Sequence, residues 1–163
     1  MRIHITLISV FFICSQAWAK MAFQKQVEEQ RLIVVAENDG THQKAISDPK
    51  VDTYHPEMSS SGRYVAYSRG VIQPGTKVEV EIVIKDLQTG DTEIWTPKAN
   101  QYIHAEFSGN DRYLVFSGPN ETNGNQNIMI VDLVKERKKG PATPIFYGNG
   151  KKTFYYEPKV EKH

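Results

Sequence analysis

The sequence predicts an all-β chain assembled from repeated sheets of four short antiparallel strands. Three observations predict it. A segment beginning near residue 54 recurs 49 residues later. Within each copy, apolar and polar residues alternate with the period of two that a half-buried strand requires. Clusters of Ser, Gly, Asn and Asp, which suit tight turns, separate the alternating stretches. Past residue 19 no segment carries a convincing helical period; Phe23–Leu32 is the single candidate and it is short.

Residues 1–19 are set apart as a secretion leader. Arg2 supplies a positive start, Ile5–Ile13 is an apolar run too short to span a bilayer, and Ala17-Trp18-Ala19 is a small-x-small cleavage pattern. Cleavage after Ala19 removes Cys14, the one cysteine, so the exported chain is expected to have no disulfide and no thiolate metal site. An uncleaved membrane anchor and a lipidated Cys14 are the competing readings. The whole chain holds 20 Lys plus Arg against 19 Asp plus Glu, and loss of Arg2 balances them. A broad electrostatic grip on nucleic acid or anionic lipid is therefore not expected. The basic run Lys135, Arg137, Lys138, Lys139 reads as a solvated turn.

The repeat is ordered along its length. YHPEMSSSGRYVAYSR (54–69) overlies IHAEFSGNDRYLVFSG (103–118), pairing His55 with His104, Glu57 with Glu106, Ser59 with Ser108, Arg63-Tyr64 with Arg112-Tyr113 and Ser68 with Ser117. Downstream, IVIKDLQTG (82–90) matches IMIVDLVKE (128–136), each a strand ending in Asp-Leu. Short strands at 92–97 and 143–148 close the copies. Each copy thus reads as four strands, with turns at Ser60-Ser61-Gly62, at the Gly/Pro loop near residue 74 and at Gln88–Asp91. The pattern continues outward. Residues 31–47 read as the third and fourth strands of a preceding unit, and YEPKV (156–160) is similar to YHPEM (54–58), 102 residues earlier. The expected organisation is a leader at 1–19, a linker at 20–30, a half unit at 31–47, full units at 54–97 and 103–148, and a half unit at 153–163.

SSSGRYVAYS (59–68) and SGNDRYLVFS (108–117), followed by IVIKDLQTGDTEIW (82–95) and IMIVDLVKERKKG (128–140), resemble the repeats of the TolB-like β-propeller family. They are also similar to the propeller domains of prolyl-oligopeptidase-like peptidases and of oligogalacturonate lyases. The usual Pro-Asp-Gly turn is replaced by Ser60-Ser61-Gly62 and by Gly109-Asn110-Asp111, both still able to turn. The resemblance implies blades of four antiparallel strands whose first strands line a central channel. Closed propellers have about four to eight blades; this chain holds about three blades' worth of strands, an incomplete ring. Truncation of a longer relative, closure by further copies of the chain, and an open stack or small sandwich are the three readings of that shortfall. The resemblance further implies an exported, periplasmic or secreted module that binds a protein partner in the bacterial cell envelope or another copy of itself. The alternative is the propeller portion of a larger peptidase or lyase.

The chemistry legible in the residues is sparse. No Gly-x-Ser-x-Gly elbow is present, and Ser59, Ser60 and Ser61 are explained by the turn they form. No glycine-rich phosphate loop opens a helix, and no cofactor is expected. His55 and His104 stand at equivalent positions, each two residues before a glutamate, Glu57 or Glu106. Imidazole and carboxylate both ligate divalent metals, and channel histidines hold a metal in the oligogalacturonate lyases, so this pair is the candidate metal site. The competing role is a structural one within the repeat, which the recurrence favours. Asn120-Glu121-Thr122 matches a glycosylation pattern but reads as a surface loop. The strand aromatics Tyr64, Tyr67, Trp95, Tyr113, Phe116, Phe146 and Tyr147 are expected mainly between blades.

Overall fold

Three antiparallel sheets follow one another along the chain in the computed structural model, which describes residues 20–71, 79–96, 101–119 and 126–134 and the backbone of 143–146. The leader expected at 1–19, the half unit at 153–163, the basic run and the Asn120 pattern lie outside the described residues. The first sheet has the order β1 (Lys20–Val27), β2 (Gln30–Glu37), β3 (Lys44–Ala45). The second runs β4 (Thr53–Met58), β5 (Tyr64–Val71), β6 (Glu79–Asp86), β7 (Thr92–Ile94). The third runs β8 (Ile103–Phe107), β9 (Tyr113–Pro119), β10 (Gln126–Asp132), β11 (Thr143–Phe146). The architecture is all-β, with four-stranded meanders and no closed ring among the described residues. No helix among them is long and apolar enough to cross a membrane.

The linker expected at 20–30 is instead a hairpin. β1 pairs with β2 from Lys20↔Glu37 to Val27↔Gln30 around the two-residue turn Glu28-Glu29, with Glu28 at φ 52°. The register shows which strand it is. Ile46 N donates to Ile33 O at 2.9 Å as Trp95 N does to Ile82 O at 3.0 Å, so Ile33 and Ile82 share one repeat position. Glu37 then matches Asp86, and their partners Lys20 and Tyr64 match each other. KMAFQKQV therefore occupies the place of YVAYSRGV, the second strand of a blade. The first sheet holds second, third and fourth strands, and no first strand among the described residues.

Adjacent sheets pack face to face. Side chains alternate across a strand, so the two faces of the middle sheet enter different cores. Val65 and Tyr67 of β5 and Val83 of β6 meet Ala22, Ile33 and Val35 of the first sheet. Ala66, Ile82, Ile84 and Trp95 meet Ala105, Phe107, Leu114, Phe116 and Val131 of the third. β5 and β6 are consequently buried on both faces, which explains their near-continuous apolar runs. Phe107 and Phe116 are fully buried, each contributing about 1.5–3 kcal/mol of apolar transfer. Of the aromatics expected between blades, Tyr67, Trp95 and Phe116 are core residues and Tyr64 packs against the core edge. Phe146 and Tyr147 lie outside the described side chains.

The second and third sheets carry the same fastenings. The Tyr64 amide donates to Ser59 Oγ at 3.0 Å, and the Tyr113 amide to Ser108 Oγ at 2.9 Å. Gly62 at φ 69° and Asp111 at φ 55° take the left-handed position in these turns. The Arg-Tyr and Asp-Leu signatures are joined in space. Arg63 reaches Asp86 Oδ2 through Nη2 at 2.7 Å, and Arg112 reaches Asp132 Oδ2 at 2.9 Å. Each guanidinium also lies 5.0 Å over the following tyrosine ring.

Candidate functional site

The first strands β4 and β8 are edge strands of neighbouring sheets, and the sequence places a histidine on each. Both strands are irregular at the same point. Pairing with the next strand shifts register between Tyr54 and Glu57 and between Ile103 and Glu106. The inserted residues are His55 at φ 52° and His104 at φ 55°. A bulge with a left-handed residue turns the strand locally and re-aims side chains; histidine tolerates that backbone better than most non-glycine residues. The two imidazoles meet edge to face, with centroids 4.2 Å apart and an interplanar angle of 88°.

The structure thus brings His55 and His104 together, as their shared repeat position requires. The rings touch one another. Two imidazoles sharing one tetrahedral metal, at a metal–nitrogen distance of about 2.0–2.1 Å, would hold their centroids roughly 5 Å apart. No group of three or more His, Cys, Asp or Glu among the described residues is arranged to hold a metal ion. Glu57 and Glu106 are half-buried and each takes part in a polar contact.

The histidine pair ends a row that crosses all three sheets. Tyr54 packs on His55 edge to face at 5.1 Å. Arg31, at the start of β2, lies 4.5 Å over the Tyr54 ring. Its guanidinium grips Asp52 in a bidentate pair, with Nε donating to Oδ1 at 2.8 Å and Nη2 to Oδ2. The Arg31 amide donates to the same carboxylate at 3.1 Å, and Thr53 Oγ1 donates to Arg31 O at 2.8 Å. The side-chain hydrogen bond from Arg31 holds the Asp52 carboxyl below the usual carboxylate range, and Asp52 in turn raises the Arg31 guanidinium. Burial raises the Tyr54 phenol. His55 is exposed, and the Arg31 and Asp52 side chains remain 38% and 35% accessible. The row is a cation, a carboxylate, a phenol and two imidazoles, all reachable from solvent at least in part.

Arg31, Asp52 and Tyr54 carried no signal in the repeat. Their equivalents one blade later are Val80, Gln101 and Ile103, where a parallel bridge joins Val80 to Gln101 and no ion pair forms. The polar cluster therefore belongs to one junction and not to the repeat. Residues that recur are accounted for by the architecture, while those that break the pattern are where specificity can reside.

Away from this row, a concavity lies between the second and third sheets. Its volume is about 550 Å³, and it is lined by Asp86, Asp91, Glu93, Trp95, Asp111 and Val134 among others. The carboxylates are largely committed. Asp111 accepts from the Ser60 and Ser61 amides at 2.7 and 3.0 Å, linking turns of neighbouring blades. Asp86 is tied to Arg63, and Asp91 Oδ2 accepts from Thr89 Oγ1 at 2.7 Å.

No protein-family model and no curated protein matches the sequence. Solved structures do match. The chain is similar to TolB from Acinetobacter baumannii (TM-score 0.58, 20% identity), covering 77% of this chain and 30% of that one. It is similar to a chain designated TolB from Agrobacterium tumefaciens (TM-score 0.61, 16% identity), covering 80% of this chain and 43% of that one. It is also similar to the tricorn protease (TM-score 0.52, 13% identity), covering 64% of this chain and 12% of that one. At these identities the likeness establishes the fold, an incomplete TolB-like β-propeller. The chain spans less than half the length of each of these proteins.

Proposed function

We propose that the chain is a protein-binding module of the bacterial cell envelope, and that it recognises its partner through the row Arg31, Asp52, Tyr54, His55 and His104. The observation that carries this reading is that Arg31, Asp52 and Tyr54 break the repeat at the junction where the first strands converge. Arginine and tyrosine are the side chains that most often anchor protein interfaces. The bidentate pair with Asp52 holds Arg31 in place before binding, which lowers the ordering cost of association. The envelope location rests on the leader-like start and on the resemblance to the TolB-like repeats.

A photo-crosslinking residue at position 55, introduced in the producing bacterium, tests the reading. The expected result is a discrete adduct with one other envelope protein, at least tenfold weaker in the Arg31→Ala and Tyr54→Ala variants. No such adduct is expected from position 93 on the far edge of the second sheet. Equal labelling from positions 55 and 93, or an adduct consisting of two copies of this chain, overturns it. Metal analysis of the same purified protein addresses the histidines. Stoichiometric metal lost in a His55→Ala/His104→Ala variant would make the pair a ligand site instead.

A further inference from the structure

We infer that the concavity between the second and third sheets is a binding site for a short basic peptide, a free ligand with an arginine or lysine side chain. Its volume of about 550 Å³ lies within the roughly 300–1,000 Å³ of clefts that enclose a whole small ligand. The inner wall is apolar and aromatic, with Ile84 and Trp95 buried and Leu133 half-buried. The outer wall is anionic. Asp91 and Glu93 are exposed, and Asp111 faces them from the third sheet's first turn.

Two groups on these walls are left incomplete by the protein itself. The first is the charge. Four carboxylates line the concavity against one guanidinium, Arg63, and Arg63 is matched to Asp86. Asp111 accepts from two backbone amides and Asp91 from a hydroxyl, all neutral donors. Asp91, Glu93 and Asp111 thus meet no cation among the described residues, and a cleft lined by one sign of charge focuses its field on the opposite sign. The second is a hydrogen bond. Trp95 is 9% accessible, and its Nε1 is buried with no partner among the described residues; such donors are few in native proteins. A basic peptide supplies both missing partners. Its cationic head pairs with the carboxylates, its methylene stem lies along the apolar wall, the indole face attracts the cation, and a peptide carbonyl is an acceptor for the indole N–H. A sugar also suits an aromatic wall beside carboxylates, but its hydroxyls leave the excess charge unmet.

The site belongs to one junction. Val35 pairs with Lys44 as Ile84 pairs with Glu93, so the preceding junction carries a cation where this one carries a carboxylate. Ile46 stands there in the place of Trp95, and Gly62 in the place of Asp111. The lining residues that recur, Arg63 and Asp86, are matched by Arg112 and Asp132 and fasten the sheets. Those that break the pattern are the indole and the unmatched carboxylates, the groups that a cationic ligand would meet.

Nuclear magnetic resonance on the purified full chain tests the site at the Trp95 indole. Trp18→Phe leaves Trp95 as the one tryptophan. The probe is acetyl-Gly-Arg-Gly-amide, with its glutamine counterpart as the uncharged control. The expected result is a saturable shift of the indole N–H resonance by the arginine peptide, weakened by added salt. Affinity should be at least tenfold lower for the glutamine peptide and in Glu93→Gln, and Glu93→Lys should abolish the shift. Glu93 is exposed, so an unchanged backbone amide spectrum is expected in both variants; if either spectrum changes, Asp91→Asn decides. Equal shifts by the two peptides, unchanged affinity in the variants, or an indole resonance that no soluble concentration of the arginine peptide moves overturns the inference. Saturation by maltose in place of the peptide also overturns it. A protein adduct from a photo-crosslinking residue at position 93 would make the concavity a protein-docking surface and overturn the assignment to a free peptide. The concavity shares no residue with the recognition row, so the titration and the crosslinking from position 55 can fail separately.

Discussion

Gly62 and Asp111 occupy the same place in successive turns, yet they are not interchangeable. Both backbones are left-handed, at φ 69° and 55°. A side chain there costs about 1–2 kcal/mol, so Gly62→Val should lower stability by that amount. Asp111 offsets the cost by accepting from the Ser60 and Ser61 amides of the neighbouring blade. Asp111→Gly relieves the backbone but loses both bonds, and a net loss of about 1 kcal/mol is expected in urea unfolding. The pairing of Arg-Tyr with Asp-Leu has a pH signature. Arg63, with help from the Gln88 and Thr89 amides, holds Asp86 at about 2, whereas an unfolded aspartate titrates near ~3.9. A depressed folded value means that the stabilisation is complete above about pH 4 and is lost as the pH falls towards 2. Asp52, also depressed, adds to the same slope. Thermal unfolding measured from pH 5 to 2 should flatten in Asp86→Asn.

Whether a strand could be read from the residues depended on its surroundings. β6 and β10 carry matching apolar runs that end in Asp-Leu, so their place in a repeat was plain. β1 was missed because its turn, Glu28-Glu29, has none of the Gly, Asn or Pro that punctuates the other hairpins. Its exposed second half, Gln24 to Val27, also dilutes the period. Its kinship with β5 shows only once the register equates Lys20 with Tyr64. The site divides in the same way. His55 and His104 were visible because they recur; Arg31 and Asp52 were not, being 21 residues apart and replaced by Val80 and Gln101 in the next blade. Gly118 is a further hidden constraint on an element. A Cβ there would lie 2.6 Å from the ring of Tyr102, which is buried between the second and third sheets and packed against Phe116. That ring has no room to retreat, so Gly118→Ala should cost about 1–3 kcal/mol through overpacking of β9, measurable by chemical denaturation.

At the scale of the whole molecule, the middle sheet is the one covered on both faces by described neighbours, while each outer sheet is covered on one. The asymmetry sets an order in time. Every contact within a sheet is between strands adjacent in sequence, so each blade can open by itself, and a chain of stacked units frays from its ends. Backbone amides should record this as a gradient in hydrogen–deuterium exchange. The slowest are expected at Val65–Tyr67 and Ile82–Ile84, with β1–β2 and β9–β10 exchanging faster.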